Sequence, residues 1–316
     1  MIQLSIIVPV YNTEKYLRKC LTSLLDQDIT NYEILIINDS SPDNSQNIIN
    51  EFKNLYPGII KSFIKPNGGL GDSRNYALPY AQGKYIIFID SDDYLKANCL
   101  NHLCQYMDKN DLDILVYDFI KVYDDKTIHE KSLESISQIN YILSTPNACN
   151  KMFKTSLFQK YNILFPTEIW YEDLAVIPGL ARYTDKIGYL NEGVYYYLFR
   201  NQSIMNQVRY NPKILDMIQS INNLSKYLET SFYTELEYLS LLHLFYGSSL
   251  KLIPFKAFNE LKICLNEHEK NFPNWKCNKY YQNKPILFKI YCYFLSKRNY
   301  TFCQLLLFFR KVTKRG

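Results

Sequence analysis

Histidine, tryptophan and glycine are scarce in this chain, at 4, 2 and 10 of 316 residues. The four histidines show no zinc-ligand spacing, and none of the eight cysteines forms a C-x-x-C pair. A structural zinc site and a dithiol redox motif are therefore excluded, and the thiols read as buried residues of a reducing compartment. So little glycine, with only 12 prolines, leaves no material for long flexible linkers. No apolar run is long enough to span a bilayer, which argues against an integral membrane protein. The opening MIQLSIIVPVYN lacks the basic region and small-residue cleavage site of a signal peptide. The first strand–helix turn has no G-x-G-x-x-G, which counts against a nicotinamide or flavin enzyme.

What is present is a globular composition. Hydrophobic residues reach 47% and charged residues 21%, which rules out a disordered chain. The length exceeds what one core usually supports, so two domains are expected, 1–208 and 209–316. The net charge of +5 is unevenly placed. Residues 270–316 carry eleven Lys or Arg and no Asp or Glu, leaving the first 269 residues at +5 less 11, or −6. A mildly acidic body with a basic, aromatic tail does not suit a general nucleic-acid binder. It suits a body with an anchor for an anionic surface.

The first 120 residues alternate between two periods. LSIIVPV (4–10) is a short apolar run, rich in β-branched residues, that reads as a buried strand, and EILII (33–37), 59–64, YIIFI (85–89) and 113–119 read as further strands. Between them run helical stripes: Leu17, Leu21, Leu24 and Leu25 after Asn12 and Thr13 as caps; Ile48, Ile49, Phe52 and Leu55 after Ser41-Pro42; residues 70–81; and Leu100, Leu103 and Met107. This repetition implies an α/β fold, a Rossmann-like, mostly parallel sheet flanked by helices, followed beyond about 210 by a mainly helical region. Such sheets bind ligands outside the carboxyl ends of their strands. A polar cluster stands at each of those ends: Tyr11-Asn12, Asn38-Asp39-Ser40, Lys65-Pro66-Asn67-Gly68-Gly69 and Asp90-Ser91-Asp92-Asp93.

Asp90-Ser91-Asp92-Asp93 is the sharpest of these. Three carboxylates in four residues repel one another without a cation, and hard oxygens favour Mg2+ or Mn2+. The bland alternative is a turn and helix cap. Asp39 suits a ligand N–H or a cap for the helix near Pro42, and Tyr11 suits stacking on a base or simple packing. Asn67-Gly68-Gly69 with Arg74 and Asn75 suits a phosphate or base edge, or an ordinary turn. Glu172-Asp173, beside Trp170-Tyr171, offers a general base or a helix start favoured by the dipole. NACNKMF (147–153) opens the less regular 147–205 segment, which with the C-terminal helices is expected to set the choice of acceptor.

SIIVPVYNTEKYLRKCLTSLLDQ, EILIINDSSPDNS, NGGLGDSRNYAL and YIIFIDSDD, in this order, resemble the bacterial family 2 glycosyltransferases of the GT-A fold. The resemblance is dense over the first 120 residues and continues motif by motif to about 205. It implies a metal-dependent, inverting transfer of a hexose (galactose, glucose or an N-acetylhexosamine) from a UDP-sugar to a saccharide or lipid-linked glycan of the bacterial surface, such as a capsular polysaccharide. Pro9, Tyr11 and Asp39 then resemble uracil-side positions, and Asn67 and Arg74 other nucleotide contacts. Asp90 and Ser91 stand near the ribose or sugar, Asp92 on the metal, and Asp173 as the catalytic base. Arg200 and Ser203, in YYYLFRNQSIM, resemble a segment that closes over the diphosphate. Asp72, Leu198 and Asn38 depart from the common pattern, and Leu198 shifts the diphosphate contact onto Arg200.

Two rival readings remain at this level. A nucleotidyltransferase also uses strand-end aspartates and a metal, but wants a basic glycine-rich loop where Tyr11-Asn12 stands. A non-catalytic nucleotide-binding scaffold of a membrane glycan assembly would use the tail as its anchor. The tail combines its basic residues with Trp275, Tyr280, Phe288, Tyr291, Phe294, Phe302 and Phe308, and is expected either to lie in an anionic membrane interface or to close the helical domain. The first option places the protein in the cytoplasm, peripheral at the inner face of the membrane.

Overall fold

The computed structural model describes residues 1–199 and 210–313, without the side chains of 309–313. The chain divides into two compact units, Met1–Asn206 and Gln207–Gly316.

The first unit is built on one nine-stranded sheet. Its strands are β1 (Leu4–Val10), β2 (Tyr32–Asn38), β3 (Ile60–Ile64), β4 (Tyr85–Phe88), β5 (Tyr94–Leu95), β6 (Ile114–Val122), β7 (Thr127–Glu130), β8 (Lys151–Lys154) and β9 (Ile187–Leu198). They lie in the order β3-β2-β1-β4-β8-β6-β9-β5, with β7 on β6. The first four strands are parallel, as the alternation predicts. The second half is mixed: β8 runs antiparallel to both β4 and β6, and β5 antiparallel to β9, while β9 is parallel to β6. The run of apolar strands therefore ends at β4, where the sheet changes character.

Helix α1 (Glu14–Leu25) buries Leu17, Cys20, Leu21 and Leu24, the i, i+3, i+4, i+7 stripe of a helix packed on a sheet. Helix α2 (Ser45–Leu55) begins three residues after Pro42, so Pro42 does not open it. The intervening loop is closed by its own side chains. Asn38 Oδ1 accepts from Ser41 N (2.8 Å), and Asp43 Oδ1 from Ser41 Oγ (2.6 Å) and Ser45 N (3.1 Å). The two helices also exchange caps. Asp43 Oδ2 accepts from Glu14 N (2.8 Å), and Glu14 Oε2 accepts from Asn44 N (2.7 Å), so α1 is not capped by Asn12 or Thr13. Helices α3 (Gly69–Ala77), α4 (Leu100–Lys109), α5 (Gln138–Leu143), α6 (Thr155–Tyr161) and α7 (Glu172–Val176) complete the unit.

The described part of the second unit is helical, from α8 (Asp216–Leu228) and α9 (Tyr233–Ser240) through a π-helical stretch at Leu241–Gly247 to α10 (Ser248–Leu252) and α11 (Phe258–Asn271). Its buried residues include Leu224, Leu236, Leu261 and Leu265, and the rings of Phe245 and Trp275 lie beside the buried His268. After α12 (Lys279–Gln282), the tail forms α13 (Ile286–Ser296) and α14 (Tyr300–Thr313), which pack together with the Phe294 and Phe302 rings 4.0 Å apart. Among the described residues, no helix is long and apolar enough to cross a membrane. Seven of the eight cysteines are buried and none is in a disulfide; Cys277 alone is exposed.

Candidate functional site

The site gathers at the carboxyl ends of β1, β2 and β4. β1 pairs with β2 as far as Val10 but with β4 only as far as Ile7. Ile89 N donates to Ile7 O (2.9 Å), so the backbone of Pro9, two residues on, faces the same side, where β4 has already turned away. Proline is tolerated in this central strand because there is no ladder partner left for its missing N–H. Beyond it Tyr11 is half exposed, and Asn12, at φ 55°, donates its N–H to Ser41 Oγ (2.7 Å).

Asp39 is buried and does not cap α2. Its carboxylate accepts from Gly68 N (3.0 Å) and Gly69 N (2.8 Å), the opening amides of α3, and pairs with Lys65. Asn67, exposed, donates to Asp39 O (3.1 Å). Lys65, buried at the end of β3, also bonds Asp72 (2.5 Å) and Pro66 O (2.7 Å). Burial works against its charge, but Asp39 and Asp72 outweigh it and raise its pKa. Asp72 is thus balanced by Lys65. A Cβ on Gly68 would stand 2.2 Å from Asp72 Oδ2, so glycine is what admits this approach.

The DSDD segment splits into separate tasks. Asp90 Oδ1 faces Arg74 at 3.4 Å, and its side chain keeps 27% of its surface. Ser91 Oγ is bonded to Thr13 Oγ1 (2.9 Å), tying the segment to the start of α1. Asp92 is partly exposed. Asp93 is buried, accepting from Tyr195 OH (2.7 Å) and Leu198 N (2.8 Å) of β9. Burial, reinforced by the charge of Asp90, raises the Asp93 pKa to about 8. The third carboxylate of the cluster is therefore a brace to β9.

Arg74 has no exposed surface. Its guanidinium lies near the rings of Phe88 and Phe165, 5.6 and 5.2 Å from their centroids. It bonds Glu172 Oε1 at 3.0 Å, pairs with Asp173 Oδ1, and reaches Asp90. In this structure it meets protein carboxylates from two sides of the site. Burial opposes its charge, but Asp173, Glu172 and Asp90 together raise its pKa. Glu172 is raised as well, by burial and then by Asp173, with Arg74 pulling the other way.

Asp173 lies in the first turn of α7, so the helix-start and functional readings describe one place. Its Oδ2 accepts from Ala148 N (2.9 Å). Tyr171, just before α7, has φ 64°. The segment leading there is seated on α3: Asn75 bonds Phe165 through both its backbone groups (2.7 and 2.9 Å), and a Cβ on Gly71 would stand 2.3 Å from Pro166 O. Asn75 is thus a brace rather than a reader of a base edge. Arg200 and Ser203 lie outside the described residues.

Among the described residues, no three His, Cys, Asp or Glu form a metal cage. Asp90, Glu172 and Asp173 nevertheless share one guanidinium, with Asp92 two residues from Asp90. Those three are taken up by Arg74, so among the described carboxylates of the DSDD segment the partly exposed Asp92 is the one whose hard oxygens would suit a divalent ion, with further ligands to come from outside the chain. Lys65, Glu172 as an Arg74 partner, Tyr195 and the Ala148 amide are participants that motif reading left without roles, and Thr13, read as a cap, instead bonds Ser91.

The model of the family described as Glycosyl transferase family 2 matches residues 5–169. The Bacillus subtilis (strain 168) protein called "Uncharacterized glycosyltransferase EpsJ" is 30% identical over 233 residues, covering 68% of this chain and 66% of that protein. Staphylococcus aureus (strain Mu50 / ATCC 700699) TarS, a poly(ribitol-phosphate) beta-N-acetylglucosaminyltransferase, is 27% identical over 208 residues, 64% of this chain but 36% of TarS. The match thus spans about a third of TarS and just under two thirds of EpsJ. The S. aureus TarS 1-349 crystal structure in complex with UDP-GlcNAc superposes with a TM-score of 0.74 at 21% identity, covering 96% of this chain and 90% of that one. The Pyrobaculum calidifontis mannosyltransferase PcManGT, in complex with GDP-Man and Mn2+, superposes at 0.50 and 14% identity, covering 86% and 88%. The fold is therefore that of the GT-A enzymes, and the chain belongs to glycosyl transferase family 2.

Proposed function

We propose that this glycosyltransferase moves a hexose (galactose, glucose or an N-acetylhexosamine) from a UDP-sugar to a saccharide or lipid-linked glycan acceptor of the bacterial surface, inverting the anomeric centre and using Mn2+ or Mg2+. Support comes from a relative that acts on poly(ribitol-phosphate) and from a fold neighbour holding UDP-GlcNAc. The observation that carries the reading is the guanidinium of Arg74, which ties Asp90 at the β4 end to Asp173 in α7. Donor-side and acceptor-side carboxylates are thereby held as one constellation.

In this reading Tyr11, the Asp39 region and Asn67 receive the uridine at the ends of β1 to β3. Asp90 and Ser91 border the ribose and sugar. Asp92 would hold the metal, whose chemistry is to offset the charge that develops on the departing diphosphate. Asp173 takes the proton of the acceptor hydroxyl as that oxygen attacks the anomeric carbon. Arg74 on Oδ1 and the Ala148 amide on Oδ2 hold the carboxylate plane while it does so. Arg200 and Ser203 are assigned to the diphosphate on the resemblance alone.

Asp173→Asn tests the assignment. Transfer should fall by about 10²–10⁴-fold, the contribution of a general base, while UDP affinity, measured by calorimetry, stays within about twofold, because the residue acts on the acceptor. Wild-type turnover in the variant rejects Asp173 as the base.

A further inference from the structure

The NACNKMF segment contains a lysine that the fold buries completely. Lys151 has no exposed surface. Its ammonium donates to the carbonyls of Thr145 (2.9 Å) and Asn147 (2.7 Å) and to Asn150 Oδ1 (2.8 Å). All three of its protons are consumed within the seven residues that end at Lys151 itself. Loop carbonyls are ordinarily satisfied by water at the surface, without desolvating a charge. A buried ammonium spent on them marks a loop that must keep one shape.

The same loop is clamped from its other side. Tyr117 OH donates to Cys149 O (3.1 Å), and Asn150 Nδ2 donates to Tyr117 O (3.2 Å) and Ser132 Oγ (3.0 Å). One amide of the loop has a different target: Ala148 N donates to Asp173 Oδ2 at 2.9 Å. The carbonyl just before Ala148, that of Asn147, is the one Lys151 holds, so the Asn147–Ala148 peptide plane is fixed at both ends. Burial lowers the Lys151 pKa to about 8, with Cys149 and Asp173 opposing.

We propose that Lys151 is a positioning residue for glycosyl transfer, which aims the Ala148 amide at Asp173 Oδ2 and so fixes the carboxylate opposite Arg74. The proposal rests on Asp173 as the base, and its test separates the two. UDP release is measured from whichever of UDP-glucose, UDP-galactose and UDP-GlcNAc the wild type consumes, alongside UDP affinity. Lys151→Met should lower kcat about 100-fold, the scale of a misplaced catalytic group, with UDP affinity unchanged. Lys151→Gln, which keeps two donors, should fall between it and the wild type. In an Asp173→Asn background, Lys151→Met should cost less than about twofold more, because a residue acting through Asp173 has nothing left to position.

Wild-type kcat in Lys151→Met, a full additional loss in the double variant, or a parallel loss of UDP affinity each overturns the proposal. Should Lys151→Met not fold, Lys151→Gln carries the same three readouts. Wild-type turnover in Asp173→Asn instead rejects the base assignment, whatever Lys151 does.

Discussion

Replacing Arg74 by methionine probes the constellation most sharply. Methionine is unbranched and polarizable, so it refills much of the space beside Phe88 and Phe165 and leaves loss of charge as the main change. Glu172 and Asp173 keep only 10% and 19% of their side-chain surface, so water cannot replace the guanidinium fully. Asp90, more open and at 3.4 Å, contributes less. Removing one partner of a buried pair costs about 3–5 kcal/mol, and that is the loss expected at pH 8. The pH dependence has a definite sign. The Glu172 pKa is already raised in the folded protein, and loss of Arg74 raises it further. Between the unfolded and folded values the native state binds more protons, so stability rises as pH falls through that window. Urea unfolding of wild type and Arg74→Met at pH 8 and pH 5 should show the deficit shrinking at the lower pH. A deficit under about 1 kcal/mol at pH 8, the level of an exposed pair, would refute the reasoning. A deficit equal at both pH values would do the same.

Three further outcomes are expected. Asp92→Ala should abolish the metal-dependent part of UDP binding, and chelation should silence the wild type; activity undiminished by chelator removes the metal from the account. The buried His268, bonded to Ser240 Oγ at 2.8 Å, has its pKa lowered by burial to about 3. Its native state binds fewer protons than the unfolded chain below pH 6.5, so stability falls with pH there by about 1.4 kcal/mol per unit. Unfolding of wild type and His268→Gln between pH 7.5 and 5 should show the slope flattened in the variant, and equal slopes reject the assignment. Finally, α13 exposes Ile286, Leu287 and Tyr293, and the tail is uniformly basic. Peripheral membrane binding predicts flotation with anionic vesicles that Ile286→Glu/Leu287→Glu reduces, and equal flotation of both proteins discards the membrane reading.

The buried strands β1, β2 and β4 were legible because strands covered on both faces must be continuously apolar, whereas β3, at the sheet edge, buries only Ile60 among its five residues and was read from its place in the alternation. The later sheet was not. β8 is four residues with a lysine at each end, and β9 mixes glycine, tyrosine and polar residues over an irregular register with β6. The strand-end motifs do meet in space, Asp39 with Lys65 and Asp90 with Arg74. The burial of the cations was hidden for one physical reason: Lys65, Arg74 and Lys151 are of residue types that composition assigns to the surface, and only tertiary pairing pulls them inside, so Arg74 could be named but not its carboxylate partners. Likewise Asp93 reads as a third ligand in DSDD until Tyr195 and Leu198, about a hundred residues away, are seen to claim it. Family membership displaces the nucleotidyltransferase and scaffold readings in favour of a transferase.

The most direct measurement is a crystal structure of the full chain soaked with UDP and Mn2+. The account predicts uridine against Tyr11 and the Asp39 region, the diphosphate beside the DSDD segment, and an anomalous manganese peak within coordination distance of Asp92. A peak coordinated elsewhere, or a nucleotide bound away from the ends of β1, β2 and β4, would contradict it.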